Sequence, residues 1–320
     1  MRILIADKLP NDAIDELRSA GHAVSYQPYL DEAGVVGAIG NNQALIVRST
    51  KVGEAALEAG DDLELVVRAG AGTNTIDVAA AQVNSVTVCN TPGRNADAVA
   101  ELAMGLLLSI DRNIPDNVID VRRGVWNKKH YSQARGLLGR KIGIVGFGDI
   151  GSEMAKRAAA FGLSVYTVDR SGRSEAALER IAELDVTTVK NLEELFSAVD
   201  IISLHVPSLP ATAGIIGGEL LDYIRPGTVI INTSRGEVVD EAALLEIIDE
   251  RDLRIGTDVY LDEPGAGEPA FDSEYARHPR VYGTHHIGAS TEQSQRAVAD
   301  EVVAVVDSFA AGHVRNQVIP

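Results

Sequence analysis

The sequence predicts an α/β protein made of two doubly wound parallel-sheet domains, and three observations predict it. Short apolar runs alternate with helix-period segments along all 320 residues, the order that yields parallel strands covered by helices on both faces. The apolar run 142–145 breaks into Gly146-x-Gly148-x-x-Gly151 and continues as a helix-period stretch closed by Gly162. That is the strand, glycine turn and helix of a Rossmann dinucleotide unit. Charged residues recur just past the apolar runs, where sheets of this kind receive ligands.

Residues 2–6 read as the first strand rather than a signal peptide, because the apolar core is four residues long and no cleavage pattern follows. Pro10 opens a helix with Ile14 and Leu17 inward, stopped near Gly21. A strand near 22–26, a short helix in 31–39 and a strand over 43–47 lead into Arg48-Ser-Thr-Lys51. A helix near 53–59 and a strand over 63–67 lead into Arg68 and the turn Gly70-Ala71-Gly72, whose backbone N–H groups can form an anion nest. A short helix and a strand over 86–88 follow. From Asp97 a helix carries Val99, Leu102, Ala103, Leu106, Leu107 and Ile110, apolar almost all round, as for a helix buried between domains or subunits. Segment 116–138, with Trp126 and a basic run from Lys128, reads as an arm that packs elsewhere.

In the glycine turn, Gly146 permits the tight bend, Gly148 clears a side chain from the path of a pyrophosphate, and Gly151 allows close helix–strand packing. Asp149 and Ile150 begin the helix, whose N-terminal N–H groups and dipole favour phosphate. The next apolar run ends at Asp169, eighteen residues past Gly151. A carboxylate there accepts from a ribose 2′-hydroxyl and repels a 2′-phosphate, so NAD is expected over NADP, with Arg170 placed to blunt the preference. Beyond it, strands over 199–204, 228–233, 254–260 and 280–283 alternate with helices capped by Asn191 and Asp240. A helix from about Thr291 to Ala310 carries the chain away, and loop 262–279 is the longest irregular stretch.

Arg235, Glu263 and His286 each follow one of these strands. Together they suit hydride transfer at a carbon bearing a hydroxyl, which requires a proton to leave or join the same oxygen. A histidine does that best near neutral pH. A glutamate beside it stabilises the imidazolium. A forked guanidinium holds a carboxylate and polarises the adjacent carbonyl. Singly, each has a plainer reading: a structural ion pair, a turn residue, or a metal ligand in the pair His285-His286, although no cluster at metal spacing supports a metal.

The totals exclude other classes. Forty-six acidic against 29 basic residues give a net charge of −17, which repels nucleic acid and anionic membrane. No apolar run approaches a membrane span. The single Cys89 cannot form an internal disulfide, which fits a reducing cytoplasm. Only seven of the bases are Lys and 22 are Arg; a salt-rich cell interior and an ordinary acidic enzyme both remain open as explanations.

With these motifs in view, VRAGAGTNTID at 67–77, VGFGDIG at 145–151, INTSRGEVVDEAAL at 231–244, DVYLDEP at 258–264 and HHIGAST at 285–291, the chain resembles the D-isomer-specific 2-hydroxyacid dehydrogenase family over essentially its full length. The resemblance implies Arg235, Glu263 and His286 as the catalytic trio. It implies a flavodoxin-like substrate domain, residues 1–95 plus 289–320, into which a Rossmann NAD domain, residues 96–288, is inserted. It implies NAD contacts from Gly146, Gly148, Asp149, Ile150, Gly151, Asp169, His205, Val206, Pro207, Thr212, Thr233, Ser234, Arg235, Asp258, His286 and Gly288. It also implies substrate contacts from Gly70, Ala71, Gly72, Arg235 and His286. VRSTKV at 47–52 and the closing GAST are most similar to members that interconvert 3-phosphoglycerate and 3-phosphohydroxypyruvate, which assigns Arg48 and Lys51 to the substrate's anionic groups. Lys128 matches a basic position that reaches a neighbouring subunit's substrate, and the resemblance implies a homodimer through the nucleotide domain, helped by residues 97–138. Domain closure is expected about hinges near 94–97 and 286–290. Two departures stand out: the family's proline before the catalytic histidine is His285 here, and, with Pro320 the last residue of the sequence, the serine feedback that a C-terminal domain carries in some members is not expected. Rival expectations are a glyoxylate, hydroxypyruvate or D-lactate-type reductase, and a non-catalytic NAD-sensing corepressor of the same fold.

Overall fold

The computed structural model describes residues 1–264 and 270–318. The chain divides into two compact units, Met1–Asn95 with Ala289–Pro320, and Ala96–Gly288. Both are all-parallel sheets among the described residues.

The first unit carries β1 (Arg2–Ile5), β2 (Ala23–Tyr26), β3 (Ala44–Val47), β4 (Leu65–Arg68) and β5 (Thr87–Asn90), in the order β2-β1-β3-β4-β5. This is the flavodoxin-like order, with its switch point between β1 and β3. β1, β3 and β4 are buried on both faces, and their side chains alternate between two cores, whereas the edge strand β2 is only partly covered. Ile3, Ile5, Ala44 and Ile46 join one core with Val302 and Val306 of the last helix, Glu292–Ala310. Leu4, Leu45 and Val47 join the other, with Val35, Ile39 and Leu57. Such runs read as continuous apolar sequence because neither face meets water. Thr291 caps the last helix by accepting from the Ser294 N–H.

The second unit carries β6 (Lys141–Val145), β7 (Ser164–Val168), β8 (Thr187–Val189), β9 (Ile201–Leu204), β10 (Val229–Asn232), β11 (Arg254–Thr257) and β12 (Val281–Gly283), in the order β12-β11-β10-β9-β6-β7-β8. The order reverses between β6 and β9, the switch point of a Rossmann sheet. Ile142, Ile144 and Ile231 pack against the helix Ala96–Arg112 through Ala103, Leu106 and Ile110, with Met154 and Ala158 of the glycine-turn helix Asp149–Ala160. Ile202, Leu204 and Ile230 fill the opposite face with Phe196, Leu244 and Ile248. Each such fully buried side chain contributes roughly 1.5–3 kcal/mol.

Several boundaries differ from the sequence expectation. The strand expected over 254–260 ends at Thr257, because Asp258 turns its carboxylate back onto the chain beyond β12. A short helix, Glu274–Arg277, interrupts loop 262–279, part of which lies outside the described residues. The helix Glu175–Glu183, which buries no residue, and the edge strand β8 are elements the sequence reading does not include. Asn113, at φ 49°, ends the helix Ala96–Arg112 and begins Ile114–Arg122, none of whose residues is buried. With Val121 and Trp126, 54% and 82% exposed, that helix leaves an apolar face open.

Candidate active site

The second unit's sheet presents the β6 and β9 loops side by side. Gly146, at φ 94°, makes the bend after β6; a Cβ there would overlap the His205 carbonyl and lie 2.9 Å from Val206 Cγ1. A Cβ at Gly151 would overlap the Gly146 carbonyl oxygen and lie 3.2 Å from Ile144 Cγ2. At Gly148 a Cβ would meet nothing within 4 Å. Two of the glycines are therefore required by contacts within the chain, whereas the third keeps a space clear. Gly148 also caps the helix Asp149–Ala160 without a side-chain acceptor, so its first N–H groups face no internal anion.

Around this turn two buried polar atoms lack partners among the described residues, His205 Nδ1 and Thr233 Oγ1. The His205 Nε2 lies 2.9 Å from Ser203 Oγ. Burial pushes the His205 pKa down to about 3, so its imidazole is neutral at working pH. Thr212 folds back, its hydroxyl donating to the Pro207 carbonyl and accepting from the Leu209 N–H. Asp169, exposed past β7, donates its backbone N–H to the Val189 carbonyl. Arg173 donates to the Val168 carbonyl and lies 5.6 Å from the centre of the Phe147 ring, a contact the sequence reading missed. An open approach over Gly148, a helix N-terminus without a side-chain cap and orphaned polar atoms together fit a dinucleotide. Among the described residues no group of three His, Cys, Asp or Glu is disposed to hold a metal ion.

The three expected catalytic residues follow β10, β11 and β12, and the structure brings them together. His286 Nδ1 lies 2.7 Å from Glu263 Oε2, and Glu263 Oε1 accepts the Tyr260 N–H at 3.0 Å. Burial raises the Glu263 pKa, but the His286 hydrogen bond and charge, the Tyr260 N–H and the Arg235 charge outweigh it. The carboxyl is held below its usual range. Arg235 is fixed by its Nη1, which donates to the Ser234 carbonyl at 2.6 Å. Ser234 is itself held by Asn232 Oδ1 at 2.8 Å.

His286 adopts φ 51°, a left-handed conformation that an L-residue holds only when its surroundings enforce it. Asp258 does so. Its carbonyl accepts the His286 N–H at 2.8 Å, and its carboxylate accepts the N–H groups of Ile287 and Gly288 and the Thr284 hydroxyl. Asp258, expected as a cofactor contact, thus has a structural task that sequence alone did not reveal.

In the first unit, the N–H groups of Arg48, Ser49 and Thr50 all donate to Asp7 Oδ2, at 2.6–3.0 Å, which shapes the loop after β3. Lys51 is exposed. The expected nest at residues 70–72 is partly spent internally: the Gly70 N–H donates to the Arg68 carbonyl, and the Arg68 guanidinium lies where a Gly70 side chain would be. The Ala71 carbonyl accepts from Asn90 Nδ2.

The profile of the D-isomer specific 2-hydroxyacid dehydrogenase NAD-binding domain matches residues 104–288. The chain belongs to that family. It is 35% identical over its whole length to the D-3-phosphoglycerate dehydrogenase of Methanocaldococcus jannaschii, of which it covers 59%. It is 37% identical over 304 residues, 94% of the chain, to the hydroxypyruvate reductase of Thermotoga maritima, covering 96% of that protein. The solved structure of NAD+-bound 3-phosphoglycerate dehydrogenase from Entamoeba histolytica superposes with TM-score 0.80 at 31% identity, over 100% of this chain and 99% of that one. The chain thus spans about three-fifths of the length of the archaeal phosphoglycerate dehydrogenase it matches. The family's NAD-binding domain coincides with the unit that holds the glycine turn and the Arg235, Glu263 and His286 cluster.

Proposed function

We propose that the protein is an NAD-dependent oxidoreductase interconverting a D-2-hydroxyacid and its 2-oxoacid, with 3-phosphoglycerate and 3-phosphohydroxypyruvate as the substrate pair. The observation that carries the catalytic reading is the 2.7 Å pair of His286 Nδ1 and Glu263 Oε2 in the charge field of Arg235. A carboxylate on Nδ1 keeps the proton there and leaves Nε2 as the basic nitrogen. In the oxidative direction His286 Nε2 takes the hydroxyl proton, and Glu263 stabilises the imidazolium that results. Arg235 holds the substrate carboxylate through its fork. NAD, when bound, supplies the hydride acceptor. We assign its phosphates to Gly146, Gly148 and Gly151 with the N–H groups of Asp149 and Ile150, and its ribose to Asp169. The remaining contacts fall to His205, Val206, Pro207, Thr212, Thr233, Ser234, Asp258 and Gly288.

Arg48 and Lys51, cations in a chain of net charge −17, support an anionic substrate, with residues 70–72 as further contacts. The unphosphorylated alternative, hydroxypyruvate or glyoxylate reduction, is favoured by the Thermotoga maritima relative, which this chain matches almost end to end. A steady-state panel of 3-phosphoglycerate, hydroxypyruvate, glyoxylate and D-lactate decides between them. The highest kcat/KM is expected with 3-phosphoglycerate, and no turnover of it would end that assignment. His286→Ala is expected to lower kcat about 10²–10⁴-fold on the best substrate. The open apolar face of Ile114–Arg122 and Trp126 supports a homodimer.

A further inference from the structure

We propose that Tyr260 is the positioning residue of this site, a strut that fixes the Arg235, Glu263 and His286 loops relative to one another, and that its hydroxyl supplies the rigidity that a free-φ residue at position 285 withholds. The inference rests on the reading of those three residues as catalytic.

Tyr260 touches all three loops by different atoms. Its N–H donates to Glu263 Oε1 at 3.0 Å, orienting the carboxylate whose other oxygen meets His286. Its hydroxyl donates to the Thr284 carbonyl at 3.1 Å, the peptide that enters His285-His286. Its carbonyl packs against Gly236, where any Cβ would overlap the Tyr260 carbon and oxygen, so the loop just after Arg235 is seated on the Tyr260 backbone. A Cβ at Gly283 would overlap the Tyr260 hydroxyl, so the end of β12 keeps a glycine-sized space for that group. The ring is shielded, 9% exposed, and stacks edge-on to Phe271 at 4.8 Å. Burial and the nearby Asp258, Glu263 and Glu241 charges push the phenol to about 12, so it remains a donor across the working range.

The His286 loop has need of such an anchor. His286 is held at φ 51°, and beyond it Asp258 secures Ile287 and Gly288. Before it, His285 is exposed and its N–H has no hydrogen-bond partner among the described residues, so that residue's own donor does not hold the loop. The Thr284 end must carry the constraint. There the Thr284 N–H donates to the Thr257 carbonyl, its hydroxyl to Asp258, and its carbonyl accepts from Tyr260. Only the last of these fixes the peptide leading into His285. A proline at 285 would restrict the same peptide by covalent means, without removing a used donor.

The test is a double-mutant cycle on the full chain, with kcat, KM for NAD and KM for the acid read at one pH. Tyr260→Phe removes the hydroxyl and keeps the ring, so folding is retained. It is expected to lower kcat about tenfold, the scale of a sub-ångström misplacement of a proton acceptor, with KM for NAD within about twofold, since no Tyr260 bond reaches the glycine turn. His285→Pro added to Tyr260→Phe is expected to restore most of the lost kcat, a non-additivity that general destabilisation does not produce. Tyr260→Phe with wild-type kcat overturns the proposal, and so does a loss that His285→Pro leaves uncorrected. His286→Ala run alongside separates the two failures. If it retains activity, the catalytic reading itself is wrong; if it is inactive while Tyr260→Phe is normal, only the strut is wrong.

Discussion

Replacing Gly148 and Gly151 in turn separates space kept for a cofactor from space the protein fills itself. At Gly148 the backbone is extended, φ −87° and ψ −157°, and a Cβ would meet nothing within 4 Å. Gly148→Ala should therefore leave the apo protein within about 0.5 kcal/mol of wild type, since only the helix N-cap changes. At Gly151 the Cβ would overlap the Gly146 carbonyl oxygen and lie 3.0 Å from its carbon, so turn and helix must part. Gly151→Ala should cost about 1–3 kcal/mol without any ligand. Ligand response reverses the ranking. At NAD one hundred times its Kd, wild type gains about 2.7 kcal/mol, which for a unit of this size raises Tm by roughly 5–10 °C. A methyl on Gly148 in the pyrophosphate path that weakens binding about 100-fold cuts that gain to about 0.4 kcal/mol, or about 1 °C. The assay is a thermal melt of each variant with and without NAD, checked by calorimetric titration. A Gly148→Ala protein with the full NAD-induced shift, or one as destabilised as Gly151→Ala before NAD is added, would refute the reasoning.

Three further outcomes follow from the charge distribution and the surface. Burial raises the Glu301 pKa, but hydrogen bonds from Arg315, Arg94 and Asn316 prevail and hold the carboxyl below its usual range. A depressed carboxylate contributes stability above its unfolded pKa and loses it as pH falls through the folded one. Glu301→Gln should thus cost about 1–3 kcal/mol at neutral pH and flatten the acid limb of a pH–stability curve below about 4.5; an unchanged acid limb in urea melts would contradict this. With net charge −17, raising salt from about 0.1 to 1 M, which shortens the screening length from about 10 to 3 Å, should raise Tm, and a monotonic fall would remove the salt-adapted explanation of the acidic surface. Trp126→Glu on the open face should give a monomer by light scattering if that face joins two copies, whereas an unchanged mass would place any interface elsewhere.

The sequence made the strand ends legible because a polar residue after a doubly buried run has nowhere to point but beyond the sheet. Arg235, Glu263 and His286 could be singled out in that way, and the glycine turn could be read from the different reasons each glycine is needed. Asp258 and Tyr260 could not be given their bonding roles in that way. Each sits in the same apolar-looking stretch, and each acts mainly through bonds to backbone atoms of residues more than twenty positions away. Such bonds leave no period and demand no partner of a particular residue type. The internal use of the Gly70 N–H within the expected anion nest was illegible for a related reason, since the Arg68 carbonyl that takes it up is a group every residue owns.

Strand order explains why residues so distant in number meet. β10, β11 and β12 are successive neighbours in a parallel sheet, so their carboxyl ends lie side by side, about 4.8 Å apart per step. Arg235 lies three residues past Asn232, Glu263 six past Thr257 and His286 three past Gly283. Spans that short can reach only their neighbours' loops. The sheet therefore supplies proximity, but not orientation: a forked cation, a carboxylate and an imidazole on three independent loops would sample many arrangements. Orientation comes from the bonds that cross between loops, Gly236 seated on Tyr260, Tyr260 on Thr284, and Asp258 on the backbone of residues 286–288. A variant that severs one of these while leaving Arg235, Glu263 and His286 in place tests whether proximity without orientation suffices for turnover.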